Sequence, residues 1–225
     1  MLERGLWVAL EGPDGVGKTT TLEAVADQLS VARPDIEIVR TRHPGATPLG
    51  RHLRQLVKSP AEINPEIRLG SLSEQLLMIV DHINFKDLVL EPALARGAII
   101  LADRCDLISG LVYGMASGLS PLQLNSLFNL AARPRLDRLY VLTCPIELAK
   151  KRLIERQADR LDKFERLDGV MDIYRTLLSK SAQERLVLLN RIVALENVKY
   201  IDTCPSIEEV ARSISADVLR LVAAS

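Results

Sequence analysis

The sequence of 225 residues has no excess of charge of either sign, because 29 Lys and Arg balance 29 Asp and Glu. Proteins that bind nucleic acid through its phosphates need a broad positive surface, so we expect no nucleic-acid partner. Long apolar runs are missing too. No run approaches the roughly 20 residues that a helix needs to cross a bilayer, and the first residues lack the apolar stretch of a signal peptide. These absences predict a soluble, cytoplasmic protein without a membrane partner.

Cysteine is scarce, since the chain has only Cys105, Cys144 and Cys204, which are widely spaced. Such usage is typical of a reducing compartment, and the spacing matches no metal-binding cysteine motif. Internal repeats, low-complexity tracts and linkers rich in Pro, Gly or Ser are also lacking. We therefore predict a single domain over residues 1–225.

Apolar runs of strand length alternate with longer segments of helical period, which is typical of a parallel sheet covered by helices. The runs LWVAL, AIILA and LYVLT are apolar throughout, as expected of strands buried on both faces. Helical periodicity follows the first run and returns over residues 207–222. The predicted strands are Leu6–Glu11, Ile36–Thr41, Ala98–Ala102, Arg138–Thr143 and Val198–Ile201.

Three helix starts have recognisable capping signals. The pair at residues 47–48, Thr followed by Pro, is typical of an N-cap and a first helical turn. Ser71 with Glu74, and Ser206 with Glu209, have the spacing of a capping box, in which each side chain satisfies a free backbone N–H of the other. We predict helices from all three points.

A phosphate-binding loop follows the first predicted strand. Residues 12–19, GPDGVGKT, match G-x-x-x-x-G-K-[ST] and open a predicted helix, which is the context that the motif requires. Glycines let backbone N–H groups converge on phosphate oxygens, Lys18 reaches the β and γ phosphates, and Thr19 offers its hydroxyl to Mg²⁺. The predicted ATP-binding residues here are Gly12, Pro13, Asp14, Gly15, Val16, Gly17, Lys18, Thr19 and Thr20.

A second phosphate site is predicted at the end of the third strand. There Asp103 can hold Mg²⁺ through water, and the planar fork of Arg104 can clamp another phosphate. By itself this pair is also compatible with a salt bridge at a strand end. Arg42 and Arg54 come from another segment, and a reaction between two phosphate-bearing ligands needs such a surplus of cations. A GTPase is disfavoured because the chain has no N-K-x-D motif.

Residues 150–166, KKRLIERQADRLDKFER, alternate basic and acidic side chains densely. This pattern fits either a solvated, salt-bridged helix face or a lid whose closure brings in arginine and excludes water. Beside two phosphate sites, we favour the lid. Its basic side chains are Arg152, Arg156, Arg160 and Lys163.

Taken together, the segments EGPDGVGKTT, TRHPGATPLGRHLR, SEQLLMIVDH, LEPALARG, LADRCDL and the Arg-rich segment resemble the thymidylate kinases, within the nucleoside monophosphate kinases. The resemblance covers nearly the whole chain. It implies a three-layer α/β P-loop NTPase fold with a five-stranded parallel sheet and an Arg-rich lid. It also implies Mg²⁺-dependent transfer of the ATP γ-phosphoryl group to the 5′-phosphate of dTMP, and a homodimer.

The resemblance assigns roles to several residues. The P-loop acid, here Asp14, approaches the sugar and metal region of the acceptor nucleotide, and Arg104 with Arg54 holds the acceptor phosphate. Members of the bacterial type have Gly after that acid and place the catalytic arginine in the lid, which Gly15 and Arg160 match.

The lid arginines Arg152 or Arg156 then cover the adenine. The expected catalytic residues are Lys18, Asp14, Arg104 and Arg160. The expected acceptor-binding residues are Asp14, Arg42, Pro44, Arg54, Met78, His82, Asp103, Arg104, Ser109 and Tyr113, and Thr19 and Asp103 are the expected Mg²⁺ residues.

The chain departs from the family pattern where the acceptor base is expected. In the family, this helix usually reads F-x-x-D-R, where the aromatic stacks on the base and the arginine hydrogen-bonds to its edge. Met78 and His82 occupy these two positions here. Cys105 and residues 108–109 replace an aromatic and a hydroxyl pair, and the tyrosine comes one place late, at 113. His43 replaces the usual Glu of the second motif.

These departures leave alternatives open. The enzyme could use dTMP, another or a modified deoxynucleoside monophosphate, or the chain could bind nucleotides without catalysis. Phosphorylation of a nucleoside or of a base within DNA is disfavoured, because it leaves Arg104 and Arg54 without an acceptor phosphate or needs a wide basic groove. Taken alone, His82 is also compatible with a histidine on a helix surface, and Cys105 with a small buried side chain.

Overall fold

A computed structural model describes residues 3–129, 131, 134–155, 167–177 and 191–224. Five strands form one parallel sheet in the order β2-β3-β1-β4-β5. They are β1 (Leu6–Glu11), β2 (Ile38–Arg42), β3 (Ile99–Asp103), β4 (Arg138–Thr143) and β5 (Val198–Asp202). All five predicted strands are confirmed, and the bounds of β1 and β4 agree with the prediction residue for residue.

Helices connect the strands. The described part of the chain contains α1 (Lys18–Ala32), α2 (Pro48–Lys58), α3 (Pro60–Ile63), α4 (Ser71–Phe85), α5 (Glu91–Ala95), α6 (Asp106–Ala116), α7 (Pro121–Phe128), α8 (Ile146–Glu155), α9 (Leu167–Leu177) and α10 (Ile207–Ala224). A π-helical turn at Lys86–Leu90 joins α4 to α5, and a 3₁₀ turn at Leu195–Asn197 precedes β5.

The sheet separates two hydrophobic cores, because successive side chains of a strand point to opposite faces. On one face, Val8 and Leu10 of β1 pack with α1 and α10. On the other face, Trp7 and Ala9 pack with α4, α6 and α9. This arrangement explains the unbroken apolar runs of the central strands, and it confirms the predicted α/β architecture with a parallel five-stranded sheet.

The capping predictions are confirmed at two of three helices. The Thr47 hydroxyl accepts from the Gly50 N–H at 3.0 Å, and Ser206 and Glu209 exchange capping bonds at 3.2 and 3.1 Å. At α4 the capping box is wrong, because the N-cap is Gly70. Ser71 is therefore the first helical residue, and its hydroxyl donates to the Ser117 carbonyl at 3.4 Å.

Parallel strands bring all their carboxyl ends to one edge of the sheet. In the register, Asp103 lies beside Leu10 of β1 and beside Arg42 of β2. The segments that follow these strands therefore meet at this edge, where open α/β sheets bind ligands. Among the described residues, no helix is both long enough and apolar enough to span a membrane.

Candidate active site

The loop between β1 and α1 has the backbone shape of a phosphate cradle. Gly12 and Gly15 have φ values of 137° and 86°, which favour glycine. A Cβ at either position would also lie 2.4 Å from a backbone oxygen, that of Leu142 or Ala149. These glycines are thus required both by conformation and by the close approach of β4 and α8. The buried side chain of Val16 fixes the loop in the core.

Lys18 is buried within this loop. Its ammonium donates to the carbonyls of Gly12 at 2.9 Å and Pro13 at 2.7 Å, and it lies 3.9 Å from the Asp14 carboxylate. Burial and the nearby Arg104 guanidinium lower the pKa of Lys18 to about 7, although Asp14 opposes the shift. The site therefore has a cation held beside the glycines and available to a phosphate.

The end of β3 supplies oxygen ligands across from the loop. The Thr19 hydroxyl donates to the Asp103 carboxylate at 2.5 Å, and the Arg42 Nε lies 3.9 Å from the same oxygen. Hydroxyl and carboxylate oxygens are the ligands that Mg²⁺ prefers. The pair predicted for Mg²⁺ is thus brought together, and its donor set fits that ion.

Arg104 is the centre of the second cationic site. It has a φ of 78°, uncommon for a residue with a side chain, and this conformation turns its guanidinium back toward the loop. The guanidinium donates to Asp14 at 2.6 Å and to the Gly12 carbonyl at 3.1 Å, and it lies 5.7 Å from the centre of the Tyr113 ring. Burial opposes ionisation of Asp14, but Arg104 and Lys18 outweigh it and hold the pKa of Asp14 well below its usual value.

Sequence reasoning missed Glu11, which fixes Arg104. This fully buried carboxylate accepts hydrogen bonds from the Cys105 N–H at 2.8 Å, the Ser109 hydroxyl at 2.8 Å and the Tyr174 hydroxyl at 2.6 Å. The Arg104 guanidinium lies 3.4 Å from it. Glu11 therefore joins the P-loop to β3, α6 and α9.

The signal for Glu11 was present in the sequence. An ionisable residue closes a strand that is apolar and covered on both faces, and such a residue needs partners. The prediction included it in the strand but gave it no role. Tyr174 had no comparable signal, because it comes from a separate helix, α9.

One cleft contains most of the predicted phosphate residues. Its lining is Asp14, Gly15, Gly17, Lys18, Thr19, Arg42, His43, Arg54, Lys58, Asp103, Arg104 and Leu153. Arg54 donates to the Pro44 carbonyl at 2.9 Å, so α2 is tied to the segment after β2, where the His43–Pro44 peptide bond is cis. The structure thus brings Lys18 and three arginines to a single cavity.

The base-side residues are placed differently. Met78 and His82 are buried in α4, 8% and 0% exposed, and neither lines the cleft. The alternative of a surface histidine at 82 is therefore wrong. Ser109 bonds to Glu11, as above, and buried Cys105 is the small core side chain that the sequence suggested, with its pKa raised by burial.

The segment predicted as a lid is described only in part. Its first residues form the end of α8, where Arg152 donates to the Thr203 carbonyl at 2.8 Å and hydroxyl at 3.3 Å. Arg152 is thus attached to the loop after β5. Arg156, Arg160 and Lys163 lie outside the described residues.

The parallel sheet, the glycine loop with Lys18 and Thr19, and the arginines facing it define a P-loop nucleotide-binding protein with a second anion site. Comparisons with known proteins narrow this class. The family model "Thymidylate kinase" matches residues 10–214. The chain belongs to the thymidylate kinase family.

The chain aligns with curated thymidylate kinases over nearly the full length of both sequences. Thymidylate kinases of Exiguobacterium sibiricum and Chromohalobacter salexigens are 31% and 34% identical, with 96% and 94% of this chain covered and 94% of each relative. That of Pseudomonas fluorescens strain SBW25 is 35% identical over 92% of this chain and 99% of its own. In fold, the chain resembles the crystal structure of thymidylate kinase from Ehrlichia chaffeensis, with a TM-score of 0.66 and 22% identity over 96% and 99% of the two chains.

Proposed function

We propose that the protein is an ATP-dependent kinase that transfers the γ-phosphoryl group to the 5′-phosphate of dTMP, giving dTDP. The observation that carries the proposal is the single cleft in which Lys18 of the P-loop faces Arg42, Arg54 and Arg104. A simple ATPase needs one phosphate cradle, whereas transfer between two phosphorylated ligands needs two that face each other. The thymidylate kinase relatives supply the acceptor.

Different residues of the cleft bind the donor and the acceptor phosphates. The loop of residues 12–19 holds the ATP phosphates, and Lys18 exchanges its two carbonyl partners for phosphate oxygens. Arg104 and Arg54 hold the acceptor phosphate in line with the γ-phosphoryl group. A phosphate oxygen is already a nucleophile, so positioning and neutralisation of charge replace a general base.

Thr19 and Asp103 would hold Mg²⁺, which neutralises charge on the β and γ phosphates when bound. Asp14 lies between the two cations, so it separates the donor and acceptor sites and keeps Arg104 oriented. We assign Arg152 to the adenine side, because its bonds to Thr203 place it at the loop after β5. Arg160 remains the predicted lid arginine.

The remaining acceptor residues are proposed from the family pattern. That pattern assigns the acceptor base to Met78, His82, Ser109 and Tyr113, and Pro44 lies beside the acceptor phosphate because its carbonyl accepts a hydrogen bond from Arg54. A kinase for a different or modified deoxynucleoside monophosphate is the alternative, favoured by the replacement of an aromatic by Met78 and of an arginine by His82. A single domain and a cytoplasmic location stay predictions.

We further propose that two copies associate through α4. Leu72, Leu76 and Val80 are spaced four residues apart, so they share one helix face, and each is nearly half exposed, at 48%, 47% and 45%. An apolar stripe of this kind is typical of a surface that another protein covers. Analytical ultracentrifugation of the wild type and of Leu76→Glu tests it, with a monomeric wild type as the contradicting result.

The activity is tested by coupled ADP release with Mg²⁺·ATP against dTMP, dUMP, dCMP, dAMP, dGMP and thymidine. Turnover mainly with dTMP supports the proposal. Preference for another monophosphate would indicate that Met78 and His82 determine the acceptor specificity. No turnover with any of these acceptors would contradict dTMP as the substrate and favour either a modified substrate or a binding protein.

The matched control pair is Lys18→Ala and Lys86→Ala. The first removes the P-loop ammonium and should lower kcat by at least about 10³-fold. The second removes a lysine that pairs with Asp87 on the π-helical turn, and it should leave kcat unchanged. Equal activity of the two variants would show that the measured turnover comes from a contaminant.

A further inference from the structure

Four ionisable side chains converge at the wall of the cleft, and one of them, His43, lines it. His43, Asp81, His82 and Asp106 form this buried quartet, and none of the four is more than 1% exposed. They come from the end of β2, from α4 and from the first turn of α6. Nitrogen or oxygen atoms of His43, Asp81 and Asp106 all lie within 4.8 Å of one another.

The contacts within the quartet are direct. The His43 Nδ1 is 2.8 Å from the Asp106 Oδ2, and the His82 Nδ1 is 3.9 Å from the same oxygen. Asp81 adjoins Asp106, and burial together with that neighbouring carboxylate raises the pKa of Asp81 to about 6. His43, Asp81 and Asp106 therefore face a shared centre, and His82 lies beside it against Asp106.

This centre has unused ligand atoms. One oxygen of Asp81, one oxygen of Asp106 and both ring nitrogens of His82 are buried without a hydrogen bond of normal geometry. Buried polar atoms are normally hydrogen-bonded, and imidazole nitrogens and carboxylate oxygens are both common metal ligands.

We propose that the buried quartet binds one divalent transition-metal ion of the zinc type. Two imidazole nitrogens with two carboxylate oxygens are a common four-coordinate set for Zn²⁺, whereas Mg²⁺ prefers oxygen alone. A divalent cation balances two buried carboxylates, which are costly to bury without compensation. The ion would replace the proton between His43 and Asp106.

The surroundings support these ligands as outer-shell partners do in metal sites. The His43 Nε2 is 3.3 Å from the Thr41 hydroxyl, which leaves Nδ1 for the metal. The Gly45 N–H donates to one oxygen of Asp81 at 3.0 Å, which leaves the other oxygen. His43 also lines the phosphate cleft, so the quartet lies directly against that cavity.

The chain offers a sharp readout, because its single tryptophan, Trp7, lies beside the quartet. The Trp7 and His82 ring centres are 5.9 Å apart. Paramagnetic Co²⁺ in the quartet should quench Trp7 fluorescence and show the visible absorption of a four-coordinate ion. The experiment uses untagged, chelator-treated protein without nucleotide, with excess Mg²⁺ to occupy the P-loop site.

The three histidines provide a matched series. His43→Gln and His82→Asn should weaken Co²⁺ binding by at least about 10-fold to 100-fold, the range seen on loss of an outer-shell partner alone. His52→Gln alters the exposed histidine of α2 and should bind like the wild type, as should Thr19→Ala. Zn²⁺ added to the Co²⁺-loaded protein should displace Co²⁺. Added to the metal-free wild type, Zn²⁺ should reach about one ion per chain and raise the Tm.

Measurements on the wild type are sufficient to overturn the proposal, even if a variant fails to fold. No Co²⁺ absorption, no quenching and no Tm shift with equimolar Zn²⁺ would mean that the quartet shares protons instead. Retention of the Co²⁺ signal in folded His43→Gln and His82→Asn would place the ion elsewhere. Because no step of this test uses turnover, its failure is independent of the proposed kinase activity.

Discussion

The phosphate cleft and the buried quartet lie next to each other, yet their charges are arranged in opposite ways. In the cleft, Lys18 and Arg104 face Asp14, and beneath it the buried carboxylate of Glu11 accepts from several donors. Further arginines remain for ligands, so the cleft has an excess of cations. In the quartet, carboxylates have free oxygens and His82 has free nitrogens.

This difference indicates what each region can bind. Excess cations in a cleft select polyanions, and a nucleotide with several phosphates is such a ligand. Carboxylate oxygens and imidazole nitrogens that are buried without hydrogen bonds favour a cation instead. Only Cys105 separates the two regions along the chain at this point, since Arg104 precedes it and Asp106 begins α6. One short segment therefore contributes opposite charges to neighbouring sites.

The strongest way to break the contrast is Arg104→Ala, which removes the central cation of the cleft. We expect kcat/KM for the acceptor to fall by about 10³-fold or more, because both orientation and charge neutralisation are lost. Glu11 and Asp14 also lose a partner, which should lower the free energy of unfolding by about 3 kcal/mol. Steady-state kinetics and urea unfolding measure the two effects, with exposed Arg96→Ala as control. Unchanged acceptor kinetics would remove Arg104 from the phosphate site.

Glu11→Gln sharpens the contrast by keeping the shape and removing the buried negative charge. Arg104 then loses its anchor, and we expect kcat to fall by about 10-fold to 100-fold with a rise in the acceptor KM. The ATP KM should change less than the acceptor KM, since Lys18 is held by the Gly12 and Pro13 carbonyls rather than by Glu11. A parallel loss in both KM values would instead indicate general damage to the P-loop.

Tyr174→Phe removes one donor to Glu11 and tests whether α9 is coupled to the cleft. Loss of a hydrogen bond to a charged acceptor should cost about 2 kcal/mol of stability, with a several-fold decrease in kcat. The matched variant is Tyr140→Phe, which deletes the bond from Tyr140 to Asp217 at 2.7 Å on the opposite face of the sheet. Tyr140→Phe should lose similar stability without a change in kcat. Equal kinetics of the two variants would argue against the coupling.

The smallest expected effect is a pH dependence of ATP binding. Because the pKa of Lys18 is lowered to about 7, the free enzyme loses this proton as the pH rises through that value. Phosphate oxygens favour the charged ammonium, so ATP binding takes up a proton above pH 7, and affinity falls by at most about tenfold per pH unit. Calorimetry in two buffers of different ionisation enthalpy counts the proton. Lys18→Met should abolish the uptake, and an equal uptake in that variant would assign it to another group.

The sequence predicted the elements whose signals are local. Strands such as β1 and β4 are apolar runs of the right length, and the P-loop is a contiguous motif. The Ser71 capping box failed because Gly70, one place earlier, takes the N-cap position. The box that Ser120 forms with Gln123 in α7 was not predicted, although it has the same kind of spacing.

The candidate site was predictable only where one motif carried it. Lys18, Thr19 and Asp103 follow from motifs at strand ends, and the register of parallel strands brings them together. The buried quartet was not predictable in this way, because residues 43, 81–82 and 106 come from three elements that meet only through packing on the sheet. His82 is the clearest case, since nothing local distinguishes a buried helical histidine from an exposed one.

Helix α4 has a buried face and an exposed apolar face, and in the proposed dimer this arrangement would make the proposed acceptor site depend on protein concentration. Its outer face carries Leu72, Leu76 and Val80, while its inner face carries Met78 and His82. In the proposed dimer, a second copy would dock on the outer face of the same 15-residue helix whose inner face carries the proposed acceptor residues. Dilution would then change the acceptor side without any mutation, and specific activity measured across a range of enzyme concentrations tests that coupling.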